Sequence, residues 1–151
     1  MSIEAKLAGL GITLPQAAAP VASYVPVVVS RGMAYLSGQL PFVDGALVTG
    51  KLGDTVSLEQ GQKAARACGL MILAQLKAAG LLERVEQVVK LGGFVASTPD
   101  FTDQPRVANG ASDLMVEVFG DAGRHARAAV GVPVLPLDAA VEVDAIFALR
   151  D

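Results

Sequence analysis

Between Ser57 and Gly80 lies the stretch that most restricts what this chain can fold into: one long helix with a single apolar stripe, set among short strand-like segments. Ser57, followed three residues later by Gln60, is a capping-box signature, and Gly80 supplies the stop. Leu58, Ala65, Cys68, Ile72, Gln75, Leu76 and Ala79 recur near helical spacing, so one face is built for burial. A second helix is expected over residues 103–119, after Pro99 and Asp100. Its stripe is Val107, Ala111, Leu114, Met115 and Val118, and Gly120 and Gly123 end it. Two one-faced helices need a common surface to cover.

The remaining segments can supply that surface. Val27-Val28-Val29, then Arg31-Gly32, then residues 33–37 read as strand, tight turn and strand. Asp44-Gly45 marks a further turn before a short strand at 46–48. Residues 85–97 contain the next strand, in which Gly92-Gly93 indicates a bulge or a close backbone approach. The last strands are expected at Ala126–Val132 and 140–149, joined by a turn holding Pro136 and Asp138. The order ββ(β)-α-β-α-ββ specifies an α+β fold, with a single sheet packed against two long helices. With 151 residues the chain reads as one domain, 1–151. Within it, residues 1–23 form a short helix and a Pro/Ala-rich connector. Ser2 caps that helix, Ile3, Leu7 and Leu10 share a face, Gly11 stops it, and Pro15, Pro20 and Pro26 keep the following chain extended.

Composition excludes more than it assigns. Hydrophobic residues make up 52% and aromatics only 5%, so Ala, Val and Leu must fill the core, and part of the surface is expected to be hidden by self-association. Arg66 and Gln75 interrupt the most apolar stretch, so no membrane span is expected. A net charge of −3, with scattered Lys and Arg, argues against a nucleic-acid partner. The N-terminus lacks a signal-peptide layout and the single Cys68 permits no intrachain disulfide, so a cytoplasmic protein is expected. One histidine and one cysteine leave no common metal site, and no phosphate- or dinucleotide-binding glycine motif or Gly-x-Ser-x-Gly occurs. Neither metal nor cofactor is expected.

The residues left to carry chemistry stand on strands. Alternation sends Val141, Val143, Ala145 and Phe147 to one face of the last strand, and Glu142 and Asp144 to the other. That acidic face is either the solvent side of the sheet or the floor of a subunit junction. In a junction, lost water would raise a carboxylate's pKa and suit it to proton transfer. Arg127 interrupts a strand of small apolar residues, where a charge must be paired. Either it forms an ion pair with Glu142 or Asp144, or its fork is free to grip a carboxylate ligand. His125, at a loop-to-strand junction, reads as an acid–base group or as a structural or exposed one. Cys68, in mid-helix among apolar residues, reads as core.

Taken in order, several of these segments resemble the Rid (YjgF-type) family of enamine/imine deaminases. Tyr24 precedes Ser37-Gly38-Gln39-Leu40-Pro41, which is similar to the family's S-G-Q-[IL]-P corner. Asn109 stands in Val107-Ala108-Asn109-Gly110, and Ala126-Arg127, Leu135-Pro136 and Val141-Glu142-Val143 follow the A-R…L-P…[IV]-E-[IV] ending. The resemblance runs from Tyr24 onward. It implies a chorismate-mutase-like protomer in a homotrimer with clefts between neighbours, and cofactor-independent hydrolysis of small 2-imino or 2-enamino acids to 2-oxo acids and ammonia. Arg127 would then hold the substrate carboxylate and Glu142 would position or activate water. Tyr24 and Ser37 would complete the pocket wall, and Gly38 would allow close backbone access. Ala129, on the same wall, replaces the cysteine of the better-studied deaminases, and His125 replaces their proline. The implied partners are a small carboxylate substrate and further copies of the chain. Two other readings attach to the same fold: a trimer that captures 2-oxo acids without turnover, and a ribonuclease, against which the acidic balance and scarce aromatics weigh. A third leaves the charged strand face purely structural.

Overall fold

In the computed structural model, which describes residues 1–20 and 22–151, α2 (Leu58–Ala78) begins as its cap dictates. Ser57 Oγ accepts the Gln60 N–H at 3.2 Å, and Gln60 Oε1 accepts the Ser57 N–H at 2.8 Å. Gly80, just past the end of α2, has φ +73°, which favours glycine. α3 (Gln104–Phe119) starts one residue inside the expected range. The N-terminal α1 (Ile3–Gly9) is capped by Ser2 Oγ, which accepts the Ala5 N–H at 3.0 Å.

Strands β1 (Val27–Ser30) and β2 (Met33–Gln39) are joined by Arg31-Gly32, whose φ values of +52° and +74° make the primed turn that matches strand twist. With β5 (Val85–Ala96), β6 (Ala126–Val132) and β7 (Val141–Leu149) they form a five-stranded sheet in the order β1-β2-β7-β5-β6. β5 and β6 run parallel and the other neighbours antiparallel, with α3 as the crossover of the parallel pair. The expectation of a single sheet needs correction. β3 (Phe42–Val43) and β4 (Ala46–Leu47) form a separate two-stranded sheet around Asp44-Gly45. Pro41, which has no N–H to give a ladder, stands where the chain leaves β2 for this hairpin.

Helices α2 and α3 cover one face of the larger sheet. Leu36, Val88, Leu91, Val95, Val143 and Phe147 are buried with the apolar stripes of both helices, and Cys68 lies in the same core, as expected. The opposite face stays half-open, with Tyr35 and Val130 45% and 46% exposed. Gly92-Gly93 is a site of close approach and not a bulge, because the register of β5 shifts earlier, between Val85 and Lys90. A side chain at Gly93 would press on Ala108 of α3, and one at Gly92 would displace the Asp144 carboxylate on the other face.

The two helices meet just as tightly at Gly110, where a Cβ would run into the Gln62 carbonyl of α2. Because the obstacle is backbone, the helices themselves must separate to admit a methyl group. Gly110→Ala is therefore expected to destabilise the protein by about 3 kcal/mol. Thermal denaturation should show this as a fall in Tm of roughly 6–12 °C.

Candidate functional site

The Ser37-Gly38 corner forms because β2 shifts register against β7 between Leu36 and Gln39. That irregularity brings Gly38 beside Glu142, where an added Cβ would lie 2.5 Å from Oε2. Glycine at 38 and glycine at 92 thus make room, on the strands flanking β7, for its two carboxylates. Ser37 Oγ donates to the Val25 carbonyl at 2.7 Å and the Ser37 N–H to Pro26 O at 2.9 Å, tying the connector to the corner. Tyr24 follows from that tie. It is 44% exposed and lines a small depression with Pro20, Pro26, Gly38 and Gln75.

On this open face Glu142 and Asp144 are half-buried. Burial, and then the neighbouring charge of Asp144, raise the Glu142 pKa above its ordinary 4.5. Burial also raises Asp144, opposed by a Gly92 backbone hydrogen bond and the Lys90 charge. Both acids therefore bind protons more readily folded than unfolded. Their contribution to stability is greatest below the ordinary carboxylate range and is lost as pH rises through the raised values.

Arg127 points the other way. It is paired with Leu91, whose side chain faces the helices, whereas Glu142 is paired with Phe94 on the open face. The register puts the two charges roughly 10 Å apart along the strands and roughly 10 Å across them, on opposite faces. The ion pair with Glu142 or Asp144, one of the two expectations for Arg127, is not formed. Instead Nη1 donates to Asn109 Oδ1 at 2.8 Å and Ser112 Oγ at 3.1 Å, and Nη2 donates to the Pro105 carbonyl at 3.2 Å. All three acceptors are neutral. Nε–H and the second Nη2 hydrogen have no acceptor among the described residues, and these two nitrogens form the edge that fits two carboxylate oxygens. Ala129, also half-buried, follows on the same face of β6.

The predicted residues thus divide in two. Tyr24, Ser37, Gly38 and Glu142 gather at one corner, while Arg127 and Ala129 stand on the edge strand β6, turned toward α3. Sequence reasoning missed Pro105 and Ser112, and it used Asn109 only as a motif residue. The available signal was their helical spacing, which makes a polar stripe beside the apolar one.

Comparison with known proteins decides the lineage of this arrangement. The family described as "YjgF/chorismate_mutase-like, putative endoribonuclease" matches residues 4–149. The chain belongs to the YjgF family. The match begins ahead of Tyr24, so all of the N-terminal helix but its first residue falls within it. Protein TCP17 of Trypanosoma cruzi is 54% identical to this YjgF-family chain over 152 residues, covering 99% of this chain and 95% of TCP17. Atu1372 of Agrobacterium tumefaciens, a protein of unknown function, is 50% identical with a TM-score of 0.90, over 98% of this chain and 92% of its own. E. coli TdcF with bound serine is 25% identical with a TM-score of 0.66, over 90% and 94% of the two chains. Among the described residues of this YjgF-family chain, no helix is long and apolar enough to cross a membrane.

Proposed function

We propose that the protein is a cofactor-independent deaminase that hydrolyses small 2-imino or 2-enamino acids, at clefts shared between neighbouring copies of a homotrimer. The observation that carries this reading is the Arg127 guanidinium, held by neutral oxygens alone, with Nε–H and one Nη2 hydrogen left without an acceptor among the described residues. A cation oriented at that expense but left unneutralised is suited to an anionic ligand. The bound serine of TdcF, a small molecule with a carboxylate, supports the same class.

The division of the site supports sharing between copies. Arg127 and Glu142 lie on opposite faces of one sheet, too far apart for a substrate of a few atoms. The half-open face, with Tyr35 and Val130 exposed on it, offers a surface for a second copy. In the proposed cleft, Arg127 and Ala129 come from one copy, and Tyr24, Ser37, Gly38 and Glu142 from its neighbour. Arg127 binds the substrate carboxylate. Ionised Glu142 takes a proton from water as the water oxygen bonds to the imine carbon and the C=N electron pair moves to nitrogen. Returning that proton to nitrogen gives a carbinolamine. Glu142 then carries the hydroxyl proton to that nitrogen as the C–N bond breaks and the C=O bond forms, which releases ammonia and a 2-oxo acid. The half-buried acids at this corner would repel phosphate, which weighs against the ribonuclease reading.

The test is the wild-type protein with a freshly generated 2-imino acid, followed by ammonia release, together with its sedimentation mass. Acceleration over the uncatalysed hydrolysis, by a species of three times the 15.5 kDa chain mass, is expected. Binding of 2-oxobutyrate without acceleration would leave the non-catalytic binder instead. Neither binding nor acceleration would overturn both readings.

A further inference from the structure

We propose that Ser112 and His125 are positioning residues that aim the Arg127 fork, a role that rests on Arg127 being the carboxylate anchor. His125 Nδ1 lies 2.6 Å from the Gly123 carbonyl oxygen, which can only accept. In the neutral imidazole the ring proton therefore sits on Nδ1, and Nε2 presents a lone pair. Ser112 Oγ is 2.9 Å from that nitrogen and gives it its one hydrogen. The same oxygen then has only lone pairs to offer Arg127 Nη1, 3.1 Å away. Donors and acceptors match at every step, and the direction of each bond is fixed by the carbonyl at the far end.

That carbonyl belongs to a tightly packed residue. Gly123 is pressed against the α3 backbone at Met115 and Val116, where no side chain would fit. Three points on α3, the Pro105 carbonyl, Asn109 Oδ1 and Ser112 Oγ, determine the plane of the guanidinium, and the imidazole holds the third of them in its accepting state. The consequence is directional: with Nη1 and one Nη2 hydrogen held by α3, Nε–H and the remaining Nη2 hydrogen are the donors left for a ligand. Removing the imidazole frees the Ser112 hydroxyl to rotate its hydrogen toward the guanidinium, which has no acceptor to offer. Removing Ser112 leaves one Nη1 hydrogen unheld.

The experiment combines kinetics with nuclear magnetic resonance on the full-length protein. The chain has one histidine, so its imidazole nitrogens give one set of signals. Wild type should show the Nδ1–H tautomer, and Ser112→Ala should keep it, because the Gly123 carbonyl remains, while the Nε2 signal shifts on losing its hydroxyl donor. Ser112→Ala and His125→Phe should each raise KM for the imino acid roughly tenfold with kcat within about twofold. The double variant should be no worse than either single one, because the two residues act as one chain. His125→Gln, whose amide oxygen can stand where Nε2 stood, should recover most of the loss. An Nε2–H tautomer in wild type, an unchanged KM in Ser112→Ala or simply additive effects would overturn the proposal. Should the wild type neither bind 2-oxobutyrate nor turn over an imine, the deaminase reading fails, and rotation of the Arg127 guanidinium decides the relay alone. Separate Nη signals in wild type that merge in Ser112→Ala support it, whereas free rotation in wild type overturns it.

Discussion

Replacing Arg127 by alanine should lower kcat/KM for a 2-imino acid by roughly 10²–10⁴-fold while the proposed trimer survives. Each charge-assisted hydrogen bond to the substrate is worth about 1.5–3 kcal/mol, and the Nε/Nη2 edge can form two of them. Stability should change little, because the side chain is only half-buried and Asn109 and Ser112 lie within reach of solvent. Arg127→Lys separates charge from shape, since it restores the cation without the planar fork and should fall between wild type and alanine. Steady-state kinetics alongside sedimentation checks both halves of the expectation. Undiminished turnover in an intact Arg127→Ala trimer would remove the anchor from the mechanism.

The second large effect is expected at Glu142. Glu142→Gln preserves the shape that fits against Gly38 but cannot accept a proton, so kcat should fall roughly 10²–10⁴-fold with KM nearly unchanged. The pH profile carries an independent sign. In the proposed mechanism the ionised form is the base, and its pKa is raised first by burial and second by Asp144. Wild-type activity should therefore climb as pH rises through that raised value and level off above it. Asp144→Asn removes the second cause and should move the rising limb to lower pH, while Glu142→Gln should lack the limb altogether. A full rate in Glu142→Gln would favour a different base, and a limb unmoved in Asp144→Asn would show that the two carboxylates do not interact.

The elements were readable where local chemistry governs them. Ser57 with Gln60, Gly80, Arg31-Gly32 and the alternation through Val141 to Phe147 each act within a few residues, and each does in the structure what its pattern dictates. The direction of Arg127 was not readable. Strand period assigns a residue to a face, but which face of β6 meets the helices depends on its parallel pairing with β5, and that follows from the α3 crossover. For the same reason the helical spacing of Ser112 from Asn109 marked a polar stripe but not its partners, which lie on another element. The Gly92-Gly93 pair was half-legible. Its lack of side chains announced close contact, but only the assembled sheet shows Ala108 on one side and a carboxylate on the other.

The tie between Ser37 and the connector has a consequence for selectivity. A hydroxyl has one hydrogen, and here it is already given to the Val25 carbonyl. Whatever approaches Ser37 Oγ meets lone pairs only, so this wall welcomes an N–H and turns away a bare ketone oxygen. A pocket built on it would hold the nitrogen-bearing reactant more tightly than the oxo acid it becomes, and the finished product would be the easier of the two to let go.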